Sequence, residues 1–505
     1  MGVRVVTTQN LVCNAKDSAA HGRRNWGVVF SSLILGVLAT GAGLAAAQSA
    51  PAPAQTTIVS DSKDQSLTWH GITLYGIIDI GLQYENHGAP FGDYHPATSE
   101  NIINKNGRQS VTGATSSNLS QSRIGLQGTE PLGGDWSAVF KVETFFNPSN
   151  GNISDALHDQ VLNNGLSLDK QHTNIDSSVA GEAFQTAYAG VSSKTFGTLT
   201  FGRQVTLLGD GVTKYDPNLG SQAFSLIGMS GTYAGGGDTE DKRVDDSLKY
   251  MLTFADIGRF GLMYKFNGSH GAANTGYQAD IGADFAGFSA DVYYSKFNAA
   301  ITTSSLSAAQ VEGLPTQGVA QGLPAGYFSV SNSLAATVSD NSTYGVMGSY
   351  KLDVFKFYAG YEHIQYSNPT NPLSPAPLNG IGSTTIGGYQ LAYVNNTAYP
   401  NDKVLQVYWA GVRWTVMPGL DLVGAYYGYH QNSYGTGANA GCDTNKAGTC
   451  SGHFESFSVD AVYAFSKRFD GYAGAMYSAV YDGVANGYLY QRNNINPTIG
   501  VRFKF

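Results

Sequence analysis

Nine charged side chains stand out, most of them because their neighbours alternate in polarity. Arg123 leads a run in which Ile124, Leu126 and Gly128 take every second position, with Gln127 and Thr129 among the residues between them. Lys141 and Glu143 alternate with Phe140 and Val142, and Asp79, Arg203, Arg243 and Lys249 fall on similar runs. A period of two separates the faces of a strand, so one set meets oil and the other meets water. An arginine on the oily face costs about 2–4 kcal/mol near a bilayer midplane, which puts these charges on the wet side. Asp210 and Asp216 lie instead in the glycine-rich stretch 206–244, which also carries Tyr215, Phe224 and Tyr233. Glycines let such a stretch fold tightly and face the strands. Carboxylates opposed to cations across a narrow wet gap create a transverse field, and rings of charge bias ion passage. A polar solute aligns its dipole there and crosses with water; an apolar one must break ordered water. This chemistry selects solutes and makes no bonds. Taken singly, each basic residue also fits a rim or interface ion pair, whereas a cluster drawn from several strands points to the gap. Asp238, Glu240 and Asp241, near the end of the stretch, fit an external rim, and their irregular spacing argues against a calcium loop.

Covalent and metal chemistry find little support. Ten histidines are scattered, without an H-E-x-x-H, a Cys/His set, a G-x-S-x-G or a phosphate-binding loop. No catalytic residue, metal site or cofactor is assigned. Cys442 and Cys450 lie eight apart in a Gly/Asn-rich stretch and suit a loop disulfide in an oxidising compartment. A zinc pair is the weaker alternative, because no flanking His or Cys completes four ligands.

The elements that must position these residues are strands. The chain ends Ile499-Gly500-Val501-Arg502-Phe503-Lys504-Phe505, alternating to its last residue. A terminal segment ordinarily frays unless it is tied down; pairing with the first strand to close a barrel would do that. Only 13% of residues are charged, against about 25% in a typical soluble domain, while Gly (63), Tyr (31) and Phe (24) are abundant. Sixteen segments of alternating polarity follow from residue 67: 71–84, 119–130, 134–146, 183–193, 197–205, 245–254, 259–267, 276–285, 287–297, 341–351, 353–366, 402–415, 419–430, 454–466, 469–480 and 496–505. Tight turns such as Phe196-Gly197, Ala286-Gly287 and Pro418-Gly419 alternate with long gaps. That pattern predicts an all-β, transmembrane, antiparallel up-and-down barrel with short turns on one rim and long external loops on the other. The β-rich stretches 325–331 and 384–394 leave eighteen strands as an alternative, with hairpins inside loops the simpler reading.

The N-terminus reads as targeting. Gly27 to Ala47 is the one long apolar run; it follows Arg23-Arg24 and ends Ala45-Ala46-Ala47, an export signal cleaved after Ala47, or alternatively after Ala54. Residues 48–66 form a Pro/Ala/Ser/Asp linker, and 67–505 the barrel. Losing residues 1–47 removes Arg4, Lys16, Arg23, Arg24 and Asp17 and takes the net charge from −8 to −11. So acidic a chain is not expected to bind nucleic acid.

Five runs in order resemble the general porins of Gram-negative outer membranes. They are Ile72-Thr73-Leu74-Tyr75-Gly76-Ile77-Ile78-Asp79; Ser122-Arg123-Ile124-Gly125-Leu126-Gln127-Gly128-Thr129-Glu130-Pro131-Leu132-Gly133-Gly134; Phe196-Gly197-Thr198-Leu199-Thr200-Phe201-Gly202-Arg203-Gln204; Arg243-Val244-Asp245-Asp246-Ser247-Leu248-Lys249-Tyr250; and the terminal Phe505. The resemblance implies a homotrimer of sixteen-stranded barrels in outer-membrane lipid and lipopolysaccharide. Each would hold a water-filled pore for small hydrophilic solutes and ions, narrowed by an inward-folded third loop. Alternation and the inward fold of the third loop give a basic constriction wall at Arg123, Lys141, Arg203, Arg243 and Lys249 and an acidic side at Asp210, Asp216, Asp79 and Glu143; several of the basic residues carry over to the family's basic wall, Arg123 and Arg243 most directly. Phe503 and Phe505 would serve as the C-terminal signal for the barrel-assembly machinery. The second loop, 147–182, is expected to latch neighbouring barrels. Three departures keep selectivity open: long loops one, two, five and six, no Pro-Glu-Phe in loop three, and Gln185 where the family often places a lumen arginine. A substrate-specific channel for a sugar or carboxylate, and a surface adhesin, are the alternatives.

Overall fold

The computed structural model describes residues 67–88, 90–94, 108–172, 181–227, 243–255, 257–266, 275–374, 385–437, 440–442, 448–486, 488 and 490–505. The expected leader and linker, and Asp238, Glu240 and Asp241, lie outside them. Sixteen strands form the wall: β1 Ile72–Glu85, β2 Arg123–Gly133, β3 Trp136–Phe145, β4 Thr186–Ser193, β5 Gly197–Val205, β6 Arg243–Phe254, β7 Gly258–Lys265 and β8 Thr275–Phe285. They continue as β9 Phe288–Ser304, β10 Ser333–Leu352, β11 Phe355–Ser367, β12 Lys403–Met417, β13 Leu420–Gln431, β14 Gly452–Ala464, β15 Phe469–Asp482 and β16 Thr498–Lys504. Each pairs antiparallel with its sequence neighbour, and β16 returns to β1 in a register running from Ile77↔Lys504 to Gln83↔Thr498. Reciprocal backbone bonds between Gly76 and Phe505, 3.0 and 3.1 Å, seal the seam at the last residue. The wall is a closed barrel of sixteen strands.

Alternation explains why this wall is stable in oil. Ile124, Leu126, Phe201, Leu262, Val346 and Val459 are exposed on the outer face, where lipid rather than water is the expected solvent. Near the short turns, aromatic pairs make a girdle: Trp136 with Phe196 (5.8 Å between rings), Phe288 with Tyr350 (4.1 Å) and Phe355 with Trp414 (5.8 Å). Between β8 and β9 the tight turn carries positive φ at both Ala286 (48°) and Gly287 (85°), the two-residue geometry that suits the twist of paired strands. No helix among the described residues is long and apolar enough to cross a membrane.

The structure departs from expectation at the long-loop rim. The second strand is interrupted: Val111–Ser116 pairs with the upper half of β1 and β2 with the lower half, while 117–122 leaves the sheet. β9 and β10 run past the expected ends at 297 and 341, because pairing resumes beyond a bulge between Phe297 and Ala300. Asp340 Oδ1 accepts the Ala299 N–H there (2.7 Å). Within the sixth loop, Thr385–Ile386 and Tyr389–Asn395 form a hairpin, and the latter adds in parallel to residues 333–337 of β10. The β-rich stretch at 384–394 is thus a loop hairpin and the strand count stays at sixteen.

Helix α1 (Ala156–Leu162) lies in the second loop. Asp155 caps it, accepting the His158 N–H, and Leu157 and Val161 are buried against Leu334, Ala336 and Leu391 of β10 and the loop-six hairpin. Asn164 donates to the carbonyls of Val330 and Ser333 (2.8 and 2.7 Å), and Tyr389 donates to Asp155 (2.7 Å). The described part of this loop is therefore fastened to its own barrel. Further along, α2 (Leu207–Tyr215) lies in the third loop. In the fifth loop, α3 (Ala308–Ala320) packs Leu314 with Leu306, Phe328 and Ala392.

Candidate functional site

The third loop leaves β5 and folds against the inner wall. Thr206 caps α2 by accepting from Gly209 N (3.0 Å), and Gln278 on β8 accepts the Leu207 N–H (2.7 Å). Leu207, Leu208, Val212 and Tyr215 are buried in a cluster with Met263 and Tyr293 of the wall. At Gly211 an added Cβ would lie 2.4 Å from the Tyr293 ring, so the helix can approach the wall this closely only with glycine there. Past the helix the loop runs along β12 to β16. Trp409 Nε1 donates to Tyr215 O (2.9 Å), Tyr427 OH to Asp216 (2.7 Å) and Tyr429 OH to Leu226 O (2.9 Å). Its far end meets the interrupted strand, where Asn118 O accepts the Gln222 and Ala223 N–H groups (2.9 Å each) and Leu119 packs with Phe224 and Tyr472.

The basic residues lie on β2 to β6, of which β6 also meets this segment, through Val244 in the Leu207 cluster and Lys249 at Asp210. Glu143 sits among three of them, Lys141 (Nζ 3.4 Å away), Arg123 (Nη1 3.7 Å) and Arg243, and Tyr75 OH donates to it (2.9 Å). Arg123 and Arg243 both lie over the buried Phe145 ring, 5.7 and 4.5 Å from its centre. Arg203 is held by Asp245 and by Glu182 (3.4 Å), and burial pushes the Glu182 carboxyl up despite that arginine. Lys249 bonds Asp210 and also donates to Val205 O (2.8 Å). The structure thus gathers Arg123, Lys141 and Arg243 around one carboxylate, with the Arg203 and Lys249 pairs beside them.

The acidic residues are arranged differently from expectation. Asp210 is on the loop, about half exposed (53%), next to Lys249. Asp216 faces no pore water: it is fully buried, accepting from Tyr427 OH, Asn218 N (3.0 Å) and Gly220 N (2.8 Å). Burial pushes its carboxyl up, partly offset by the Tyr427 and Ser225 hydroxyls. Asp79 is likewise buried, tying down the interrupted strand through Leu119 N (2.9 Å), Ser120 N (2.8 Å) and Tyr472 OH (2.5 Å). Glu143 belongs to the basic wall itself. Parity places Asp79 and Glu143 inward, but neighbouring side chains then exclude water from both.

A second set of inward charges was missed. Arg259 on β7 pairs with Asp284 and, at 3.0 Å, with Asp291, which also holds Lys214 of α2 at 3.1 Å. Arg413 pairs with Asp421 at 3.1 Å, and Arg502 and Lys504 with Asp470 at 2.6 and 2.8 Å. The same alternation signalled them, as Arg259 beside Phe260 and Leu262 and Arg413 beside Trp414. Cys442 and Cys450 are joined in loop seven, their Cα atoms 5.7 Å apart. No group of three or more metal-ligating side chains occurs among the described residues.

Comparison with known proteins adds a family. A family model described as Gram-negative porin matches residues 35–482. An outer membrane porin protein of Bordetella pertussis is 28% identical over 196 residues, 39% of this chain. That match spans 43% of the curated relative's length. Among solved structures, the anion-selective porin from Comamonas acidovorans superposes with a TM-score of 0.53 at 18% identity, covering 86% of this chain and 99% of that one, a likeness of fold. A loop-deletion form of OmpT from Vibrio cholerae gives 0.49 at 14% identity over 86% of this chain and 99% of that one.

Proposed function

The chain belongs to the Gram-negative porin family, and from that premise we propose that it forms a water-filled outer-membrane channel through which small hydrophilic solutes and ions diffuse passively. The observation that carries this reading is the division of the lumen. One side is packed with loop three, and the other keeps a charged wall whose Arg123 and Lys141 stay partly exposed, a placement that would be costly away from water. Arg123, Lys141 and Arg243 surround a single carboxylate, Glu143. The local charge is therefore positive although the whole chain is acidic. Charges beyond the Debye length of about 8 Å at physiological salt are largely screened, so the local excess sets the ion preference. We expect anions to be favoured.

Assembly follows from the outer face. Ile72, Leu74, Gly76 and Ile78 of β1 and Ile124, Leu126 and Gly128 of β2 offer small and aliphatic contacts suited to packing barrel on barrel, and we assign a homotrimer on that ground. Export by the N-terminal leader, insertion by the assembly machinery through Phe503 and Phe505, and contact with lipopolysaccharide complete the proposal. A substrate-selective channel is the second reading, favoured by the fastening of loop two to loops five and six at the outer rim. No covalent chemistry is assigned.

Single-channel recording in planar bilayers tests the proposal. A steady ohmic open level, with a reversal potential on the anion side in a tenfold potassium chloride gradient, is expected. A barrel that never opens would sink the channel reading, and a cation-side reversal would sink the basic wall as its selector.

A further inference from the structure

An open cavity of about 450 Å³ lies at the short-turn end of the lumen, lined by β8 to β11 and by Lys214 of α2. Its charged and hydroxyl lining is Lys214, Asp284, Ser289, Ser349, Lys351 and Lys356, with the β8–β9 turn closing one side. The volume falls within the roughly 300–1,000 Å³ usual for small-molecule sites.

Its cations are placed against their own interest. Lys351 on β10 and Lys356 on β11 are direct cross-strand partners. Both face inward by parity, since Tyr350, Leu352, Phe355 and Phe357 take the alternate positions. Like charges directly opposed on neighbouring strands are destabilising. Neither lysine has an ion pair or hydrogen bond to another described side chain; Lys356 lies over the Tyr358 ring, 4.7 Å from its centre. The nearby carboxylates are already engaged, Asp284 by Arg259 and Asp291 by Arg259 and Lys214. Arg413, which faces Lys356 from β12, is paired with Asp421. Five cations (Arg259, Lys214, Arg413, Lys351 and Lys356) thus stand against three carboxylates, and the imbalance of two positive charges rests on the opposed lysines. Ser349 adds a hydroxyl, whereas that of Ser289 is bonded to Tyr215 OH (2.7 Å).

We propose that this cavity binds a small dianionic oxyanion: inorganic phosphate, or the phosphate group of a phosphorylated solute. A dianion matches the uncompensated charge, relieves the opposition of Lys351 and Lys356, and accepts hydrogen bonds from ammonium and hydroxyl donors alike. A singly charged halide would neutralise half of it and use few of the donors.

Calorimetric titration of the purified, detergent-solubilised protein with inorganic phosphate and with glycerol 3-phosphate tests the site. Saturable phosphate binding is expected, weakened about tenfold or more in the Lys351→Gln/Lys356→Gln double variant, a loss of roughly 1.4 kcal/mol. The control Lys170→Gln, in the second loop, should bind as the parent does. Tighter binding of the ester identifies a phosphorylated solute as the ligand, and equal binding identifies the free ion; both support the site. Absence of saturable binding in the parent, or unchanged affinity in the double variant, overturns it. If the double variant does not fold, the parent still decides. Phosphate should protect Lys351 and Lys356 from an amine-acetylating reagent, read by peptide mass spectrometry, and equal labelling with and without phosphate overturns the site.

Discussion

The inner wall has two halves that obey the same strand alternation and end in opposite environments. On β2 and β3 the inward positions hold Arg123 and Lys141, whose side chains keep 26% and 27% of their exposure. On β12 and β13 they hold Trp409, Tyr427 and Tyr429, at 3%, 0% and 2%. Parity decides only which side of the sheet a residue takes. Whether that side is wet depends on what packs against it, and loop three packs against one half. The aromatic positions invite it, because each ring offers apolar area and a polar tip that can bond a loop carbonyl or carboxylate. The cationic positions repel such packing, because a guanidinium or ammonium group buried without a partner is expensive.

The largest effect should come from unseating the loop. Tyr427→Ala strips a fully buried ring, a change worth about 3–5 kcal/mol for large aromatic side chains. It also removes the hydroxyl that bonds Asp216. Lower stability in denaturant titration and a marked rise in single-channel conductance are expected together. Asp216→Asn should act in the same direction at about 1–3 kcal/mol, since an amide cannot accept from both Gly220 and the Tyr427 side without presenting a donor to one of them. Burial raises the Asp216 carboxyl, so the folded state holds that proton more tightly than the unfolded chain. Its contribution is full below the unfolded value, about 3.9, and is lost as pH climbs through the raised one. The asparagine variant should flatten that dependence. Parent-like conductance and stability in Tyr427→Ala would erase the distinction between the halves.

Substitutions on the wet half should move selectivity and leave stability nearly alone, because water replaces what is removed. Arg123→Ala should shift permeability toward cations, and Asp210→Asn, which releases Lys249, toward anions. A unit charge about 4 Å from a passing ion is worth about 1 kcal/mol in water, near fivefold in a permeability ratio. Both shifts should shrink in 1 M salt, where the Debye length falls to about 3 Å. Reversal potentials measured across a salt gradient check the pair; shifts of the same sign would break the assignment of opposite roles.

Much of the barrel was legible in the sequence, because lipid enforces alternation along every strand. All sixteen expected segments overlap a strand of the wall, and the terminal Phe505 falls at the seam. The site was legible by half. Arg123, Lys141 and Arg243 follow from parity, and so does the inward direction of Asp79; Arg203 does not, since it shares the parity of the outward Phe201 and lies at the register shift between Gly202 and Gln204. The burial of Asp79 does not follow either, because it depends on the 117–122 segment leaving the sheet, which no local pattern announces. Asp216 was misjudged for a related reason. A carboxylate in a glycine-rich loop looks solvated until Tyr427, 211 residues away in sequence, supplies its partner. Long-range packing likewise fastens the described part of the second loop to its own barrel through Leu157 and Val161, whose partners Leu334, Ala336 and Leu391 lie far along the chain.

The smallest effect should arise outside both halves, at loop seven. The bond between Cys442 and Cys450 spans a Cα separation of 5.7 Å, inside the usual range of about 4.4–6.8 Å. It closes a loop of only eight residues, so the chain entropy it removes is modest, below the roughly 3 kcal/mol of a fifteen-residue loop. Much of the nearby chain is held without it. Gln431 Nε2 donates to the carbonyls of Gly448 and Cys450 (2.8 Å each), Tyr434 N to Thr449 O (2.8 Å) and Gly483 N to Ser451 O (2.9 Å). In Cys442→Ser the 448–451 segment should therefore stay in place while the chain before it loosens. Faster proteolysis within loop seven is expected, with conductance and reversal potential at parent values. A conductance change as large as that of Tyr427→Ala would mean that this loop bears on the lumen, and that the division of the inner wall into two halves leaves out a third participant.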